Sequence, residues 1–284
     1  MRNILTVDVE DWFQTNDFNI PVESWGAYRS RVAENTRRML DLFDKYDVKG
    51  TFFILGCVAL EHPDLVAEID RRGHEIGSHG GWHRLVSLQS TEEFRRDLLF
   101  SKNVLEDIIR KPVTLYRAPS WSISETSLQA LEVLCEEGFV CDSSIQPFRT
   151  PLSGISGAPS IPYYPIVDGK RLRILEYPPT ILEIKKLRIP FSGGFYLRAA
   201  PYSLVSWALK ELNRTRPGMI YIHPWEIDGE HPDLRAPSHR KFIHYHNLRT
   251  APVKLEKLLQ HFQFGTLGEA VAESAGETPA LAII

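Results

Sequence analysis

The sequence is poor in the features that mark disulfide-rich secreted domains, membrane proteins and general nucleic-acid binders. It has only 3 cysteines in 284 residues and no C-x-x-C pair, so Cys57, Cys135 and Cys141 are interpreted as buried thiols. The longest apolar run, 51–60, is far shorter than the about 20 residues of a membrane-spanning helix. A net charge of −3 argues against a nucleic-acid partner.

The start of the chain does not resemble a signal peptide. A short apolar stretch leads directly to three carboxylates, Asp8, Glu10 and Asp11, which an apolar signal core does not contain. If Met1 is the native start, the expected location is the cytoplasm.

Apolar runs alternate with amphipathic stretches along the first 145 residues, which is typical of an α/β protein with a parallel sheet buried on both faces. The number of repeats indicates a barrel-like fold. Strands are predicted over 3–9, 50–55, 74–78, 113–116 and 139–141, and helices over 32–46, 63–72, 90–111 and 124–137.

Proline and glycine interrupt this pattern over 147–200, where only short strands such as 172–177 are expected. The segment is too apolar for a linker, so we interpret it as an insertion into one domain spanning 1–269. The Ala-rich end, 270–284, is predicted to be a flexible tail. Beyond the insertion, regular structure is predicted as helices over 201–213 and 252–262 and a strand over 219–223.

Polar residues stand at the carboxyl ends of several predicted strands, which converge on one face in barrel-like α/β folds and carry the active site there. They are Asp8, Glu10 and Asp11, then His79 and His83, and then Arg117, Asp142 and His223.

The spacing of His79 and His83 is i, i+4, which puts two imidazoles on one side of a helical turn and suits a divalent metal. The alternative is two surface histidines by chance.

Asp8 lies within an apolar strand, where an unpaired carboxylate is costly, so it requires a metal or Arg117 as a partner. The strand period places Asp8 and Glu10 on one face.

Other aromatic and imidazole side chains receive simpler interpretations. Trp225 is predicted to be either core or a platform for a sugar ring. Four histidines in polar segments are interpreted as solvated and without a role, namely His231, His239, His244 and His246.

The order of these motifs resembles the NodB-homology polysaccharide deacetylases, carbohydrate esterase family 4, and most of all their cytoplasmic, exopolysaccharide-associated branch. The resemblance implies a deformed (β/α) barrel of seven or eight strands. The five matching motifs are Thr6–Asp11, Ser78–His83, Arg117–Ser120, Asp142–Ser144 and Ile222–His223.

The resemblance also implies a metal-dependent N-deacetylase acting on an N-acetylated saccharide. Zinc is the expected ion, with cobalt, nickel, manganese or iron as alternatives, bound by His79, His83 and an acid of the first motif. Most members have adjacent aspartates there, whereas Val9 follows Asp8 here. The ligand is therefore Glu10, which the register favours, or Asp11 if the strand end bulges.

The remaining roles follow from the same resemblance. Asp8 is the expected general base and Arg117 its ion-pair partner, while the Ser120 amide binds the oxyanion. His223 is expected to protonate the leaving amine, with Asp142 as the first candidate to raise its pKa. Trp121 and Trp225 are expected substrate contacts.

Two alternatives remain: a cyclic-amide hydrolase of the allantoinase type, some of which lack metal, and a non-catalytic glycan-binding protein. The sequence does not indicate an oligomeric state.

Overall fold

The computed structural model describes residues 1–150, 152–185, 187–234, 237–274 and 278–283. The strands are β1 Arg2–Val9, β2 Thr51–Ile54, β3 Glu75–Ser78, β4 Leu115–Tyr116, β5 Cys141–Asp142, β6 Tyr164–Val167, β7 Lys170–Arg171, β8 Leu175–Glu176, β9 Ile181–Ile184, β10 Leu187–Pro190, β11 Met219–Ile222, β12 Gln263–Gly265 and β13 Ala280–Ala282. The α-helices are α1 Val32–Lys45, α2 Gly56–Glu61, α3 Pro63–Arg71, α4 Thr91–Ile109, α5 Gln129–Glu136, α6 Gly194–Ala199, α7 Tyr202–Leu212, α8 Ser238–Tyr245, α9 Ala251–His261 and α10 Leu267–Ser274.

The predicted parallel sheet is present. Its strand order is β11-β1-β2-β3-β4-β5-β8, and β12 also pairs with β1. Each of the five strands predicted in the first half begins and ends within two residues of its predicted bounds. The burial of nearly all of β1 and of all of β2 explains why these strands are continuous apolar runs rather than alternating ones. Among the described residues, no helix has the length and apolar character needed to cross a membrane.

The chain divides into two compact units, and the first comprises Met1–Phe52, Arg72–His74 and Thr180–Thr266. In it, β1 and β11 run parallel with Val7 opposite Ile222, so the residues that follow both strands are neighbours. A cluster that includes Trp12, Phe13 and Trp225 forms an aromatic core in this unit.

The second unit comprises Phe53–Arg71, Glu75–Pro179 and Leu267–Ile284. Its strands pair in parallel. Ser78 lies opposite Tyr116, Tyr116 opposite Asp142, and Asp142 opposite Glu176. The residues at the carboxyl ends of β3, β4, β5 and β8 therefore share one edge of the sheet. The long helix α4 begins with the predicted capping box, in which Ser90 and Glu93 bond to each other's backbone amides.

Three sequence predictions were wrong in part. The predicted insertion contains β8, a strand of the main sheet, so part of the segment belongs to the sheet itself. The predicted tail is partly ordered, because α10 extends to Ser274 and β13 pairs with β6; residues 275–277 and 284 lie outside the described residues. The helix predicted over 124–137 covers only α5, since a hydrogen-bonded turn precedes it.

Several other elements were not predicted, notably α2, α8 and β12. Of the three cysteines, Cys57 and Cys141 are buried and Cys135 is partly exposed.

Candidate active site

The ends of β1 and β11 bring a carboxylate and an imidazole together in the first unit. Asp8 is buried at the end of β1, and His223 follows β11 directly. The Nε2 atom of His223 lies 3.8 Å from Asp8 Oδ2 and 3.8 Å from Glu10 Oε1. The parallel register therefore places the predicted base and the predicted acid side by side.

The other ring nitrogen of His223 faces a carboxylate that the sequence analysis passed over. Glu226 Oε2 lies 2.8 Å from His223 Nδ1 and also accepts the His223 backbone N–H. Burial acts to lower the pKa of His223, but the negative charge and hydrogen bond of Glu226, with smaller contributions from Glu10 and Asp8, raise it to about 9.

The sequence analysis named Asp142 as the first candidate to raise the pKa of His223, whereas the carboxylate bonded to this ring is Glu226. The sequence contains a signal for the contact between His223 and Glu226, because the two residues are three positions apart and Pro224 lies between them. That spacing brings both side chains to one turn of the short 3-10 helix over Pro224–Ile227.

Glu226 is itself fixed by a buried arginine. Arg198 Nε lies 2.6 Å from Glu226 Oε1, and both side chains are almost fully buried. The Arg198 guanidinium also donates to the carbonyl oxygens of Ile243, His244 and His246. Burial acts to raise the pKa of Glu226, but the charges and hydrogen bonds of His223 and Arg198 lower it below the usual value. Glu226 is thus an ionised, rigidly held neighbour of His223.

Trp225 belongs to the core rather than to an open sugar platform, because it is only 5% exposed. Its ring stacks with that of His223, at a centroid distance of 5.3 Å, and with that of His244, at 4.2 Å. Its indole Nε1 donates a hydrogen bond of 3.1 Å to Glu10 Oε1. The role that the structure supports for Trp225 is to orient Glu10.

The prediction that four later histidines are solvated was wrong for two of them. His231 and His244 are buried, whereas His239 is exposed and His246 partly exposed. Burial lowers the pKa of His244 to about 2, so that ring is neutral and packs as an aromatic group.

Asp11 has a structural role that separates it from Glu10. Its carboxylate accepts hydrogen bonds from the backbone amides of Arg31 and Val32, where α1 begins, and from the amide of Trp12. Amide donors at a helix N-terminus are the partners that a capping carboxylate normally takes. Burial nevertheless raises the pKa of Asp11, against these hydrogen bonds and one from Ser30.

His79 and His83 lie in a loop after β3 and not on the helical turn that their spacing suggested. Gly80 and His83 both have positive φ angles, of 79° and 52°. The Gly81 amide donates 2.7 Å to Asp97 Oδ2, and a Cβ atom on Gly81 would stand only 2.7 Å from Asp97 Oδ1. His79 Nδ1 lies 2.8 Å from the carbonyl oxygen of Arg117, which places the ring proton on Nδ1 and the lone pair on Nε2.

Glu10, His79 and His83 have the donor set of a metal site. All three residues are buried, Glu10 directly after β1 and the two histidines in the loop after β3. Two imidazole nitrogens and one carboxylate oxygen suit zinc and related divalent ions, and a three-residue set leaves coordination positions for water or substrate. The residues present therefore fit the metal that the motifs imply.

The loop after β4 holds Arg117 in a fully buried position. Its guanidinium packs over the rings of Phe53 and Trp121, at 4.2 and 4.4 Å, and Nη2 donates 3.2 Å to Ser143 Oγ. Trp121 is only 5% exposed, and its ring contacts the Arg117 guanidinium; its expected substrate contact stays a prediction. Ser120 and Trp121 have φ angles of 53° and 57°, a conformation that is strained for non-glycine residues and often found at functional sites.

Asp142 lies at the end of β5 and contacts Ser144 and Glu176. The Ser144 hydroxyl donates to Asp142 Oδ1, and Glu176 stands opposite Asp142 on β8. Burial raises the pKa of Asp142 to about 6, partly offset by hydrogen bonds with Glu176 and Ser144, and it raises that of Glu176 well above its usual value. Glu176 was missed, although an acid inside a predicted strand, here 172–177, is the signal that identified Asp8.

Comparisons with known proteins show matches to family models and to curated relatives. Residues 25–134 match the family model described as polysaccharide deacetylase, and residues 143–272 match a domain of unknown function, DUF3473. A peptidoglycan-N-acetylglucosamine deacetylase of Bacillus cereus is 34% identical over 90 residues, which are 32% of this chain and 42% of that protein. A peptidoglycan deacetylase of Helicobacter pylori is 32% identical over 108 residues, 38% of this chain and 36% of that protein. These matches thus span less than half the length of either curated relative.

Solved structures share the fold at low sequence identity. A Mycobacterium smegmatis protein described as a polysaccharide deacetylase superposes with a TM-score of 0.62 at 18% identity, over 98% of this chain and 92% of that one. An allantoinase superposes with a TM-score of 0.58 at 17% identity, over 96% and 90% of the two chains. The predicted deformed (β/α) barrel is confirmed, and at these identities the likeness concerns the fold.

Proposed function

We propose that this chain, which carries a polysaccharide deacetylase domain of the NodB-homology family, carbohydrate esterase family 4, is a metal-dependent hydrolase that removes N-acetyl groups from an amino sugar. The burial of Glu10, His79 and His83 is the observation that carries the proposal, because the donor set of these three side chains is suited to a catalytic divalent ion. Asp8 and His223 beside Glu10 supply the acid–base chemistry that amide hydrolysis requires.

In this proposal Glu10, His79 and His83 hold one divalent ion, with zinc as the first choice. When bound, the ion acidifies a water molecule and polarises the amide carbonyl. Glu10 is preferred to Asp11 as the carboxylate ligand, because the oxygens of Asp11 already accept amide hydrogen bonds near the start of α1. The indole of Trp225 and the carbonyl of Arg117 then orient Glu10 and His79.

Proton transfer is assigned to two side chains in the first unit. Asp8 accepts a proton from the attacking water as general base, and His223 delivers a proton from Nε2 to the leaving amine. An amine leaves poorly until it is protonated, so the reaction requires a general acid, and a protonated His223 would supply it. The hydrogen bond from Nδ1 to Glu226 favours the charged imidazole, and Arg198 keeps Glu226 ionised.

The remaining assignments concern substrate and oxyanion binding. The Ser120 backbone amide is proposed to donate to the developing oxyanion, in the strained turn that follows Arg117. Arg117 is proposed to hold Asp8 ionised and oriented. The substrate class is an N-acetylated saccharide, by analogy with the peptidoglycan deacetylases to which the chain is similar.

The test combines metal analysis with product analysis. The purified chain, treated with chelator and then reconstituted with zinc, cobalt, nickel, manganese or iron, is assayed for acetate release from N-acetylglucosamine oligomers, peptidoglycan fragments and other N-acetylated glycans. Allantoin serves as the competing substrate, and Asp8→Asn is the matched inactive control. Acetate release that requires metal and Asp8 is expected. Metal-independent activity, or turnover of allantoin alone, would overturn the proposal.

A further inference from the structure

The second unit contains a buried pair of carboxyl groups, and we infer that Asp142 and Glu176 share one proton and act together as positioning residues for the loop that carries Arg117. Both side chains are fully buried, and they stand opposite each other in the parallel register of β5 and β8. The shared proton does not depend on the function proposed above, whereas its kinetic consequence rests on it.

The hydrogen bonds around the pair account for two of its four oxygens. Asp142 Oδ1 accepts from the Ser144 hydroxyl, and Glu176 Oε1 accepts from the backbone amides of Ser144 and Ile145, at 3.2 and 2.9 Å. The other two oxygens, Asp142 Oδ2 and Glu176 Oε2, are buried and have no hydrogen-bond partner among the described residues when both groups are taken as ionised. A single proton between them would satisfy both.

Charge leads to the same conclusion. Two ionised carboxylates in contact inside a protein repel each other and lose their hydration, so such pairs retain one proton. The groups that act on the pair or are affected by it are Tyr116, Tyr163 and Cys141, whose raised pKa values keep them neutral, and the guanidinium of Arg117. With one proton, the pair has one negative charge, and the positive charge of Arg117 favours that charge.

The pair connects to the Arg117 loop through two serines. Ser144 Oγ donates to Asp142 and accepts 2.7 Å from the amide of Ala118, so the position of the pair fixes the backbone beside Arg117. Ser143 Oγ accepts from Arg117 Nη2 and donates 2.7 Å to the carbonyl of Tyr177, the residue after Glu176. A change in the pair's charge or shape would therefore move the loop that positions Arg117.

The test compares two substitutions of Glu176. In Glu176→Gln, an amide N–H replaces the shared proton and the amide oxygen still accepts from the Ser144 and Ile145 amides. We expect kcat to stay within a few-fold of the native value. In Glu176→Leu, Asp142 loses its partner, and the misplaced loop should lower kcat by about 10- to 100-fold. If kcat is near native in Glu176→Gln but low in Glu176→Leu, the role of Glu176 is to position the loop through a hydrogen bond. A low kcat in both variants would instead indicate that the carboxyl group itself is required.

Infrared difference spectroscopy tests the proton without any substrate. The native protein should show the C=O stretch of a buried protonated carboxyl group at neutral pH, and Glu176→Gln and Asp142→Asn should each lose it. Persistence of that band in both variants, its absence from the native protein, or equal damage by Gln and Leu would overturn the inference. If the chain releases no acetate, the proposed function fails, but the infrared band still shows whether Asp142 and Glu176 share a proton. The two failures are thus distinguishable.

Discussion

Substitution of Glu226 by glutamine should move the alkaline limb of the pH–rate profile to lower pH. His223 must be protonated to act as the acid, and its pKa is raised to about 9, chiefly by the charge and hydrogen bond of Glu226 acting against burial. Activity should accordingly persist as pH rises and decline only as the imidazole loses its proton near that value. A raised pKa also means that the contribution of protonated His223 to stability is present at low pH and is lost as pH rises through 9.

The size of the effect follows from the geometry of the pair. Glutamine keeps an oxygen for Arg198 but places an N–H against His223 Nδ1, which favours the neutral imidazole. A charge at hydrogen-bond distance typically shifts a pKa by about 1–3 units, and each unit corresponds to about 1.4 kcal/mol. We therefore expect the alkaline limb to fall by about one to three pH units toward 6.5, the ordinary pKa of histidine.

The assay is acetate release over about pH 6–10 with the metal-loaded protein, because kcat then reports groups in the enzyme–substrate complex. Glu230→Gln is the matched control, since Glu230 is exposed four residues further along the chain. An unchanged alkaline limb in Glu226→Gln, or an equal shift in the control, would refute the assignment of His223 and Glu226.

Further expectations concern the metal group and the acid–base pair. Glu10→Gln should lose most of its bound metal, whereas Asp11→Asn should retain metal and instead lower the melting temperature; the reverse pattern, by metal analysis and calorimetry, would make Asp11 the ligand. Asp8→Asn should retain metal and lose about 10²–10⁴-fold in kcat, because an amide cannot accept the proton, and near-native turnover would move the base elsewhere. His223→Ala should retain metal and hydrolyse aryl acetate esters, which need no leaving-group proton, far better than amides; equal losses on both would indicate a structural histidine.

The sequence was most informative where chemistry and local pattern coincide. An acid inside an apolar strand identified Asp8, because burial of a carboxylate demands a partner wherever the strand lies. The i, i+4 spacing drew attention to His79 and His83 for a reason that did not hold, since the loop with positive φ at Gly80, and not a helical turn, sets their positions.

Tertiary pairing accounts for what the sequence did not reveal. Arg198 and Glu226 are 28 residues apart and meet only in the folded chain, so no local spacing predicts the ion pair. The same holds for Asp142 and Glu176, which become neighbours through the register of β5 and β8. Trp225 shows a further limit of sequence reasoning. A tryptophan fits a core position and a sugar-binding platform equally well, and only its 5% exposure in the structure identifies it as a core residue.

The pairing of β13 with β6 has a practical consequence for how the chain is produced. Ala280–Ala282 bond in parallel to Tyr164–Ile166, and the Tyr164 amide donates to the carbonyl of Pro279. Truncation before residue 278, as in trimming a presumed tail, would leave β6 with a row of uncompensated backbone donors and acceptors along one side. Such an edge is a template for intermolecular strand addition, so a shortened chain is expected to aggregate even if its catalytic residues are intact.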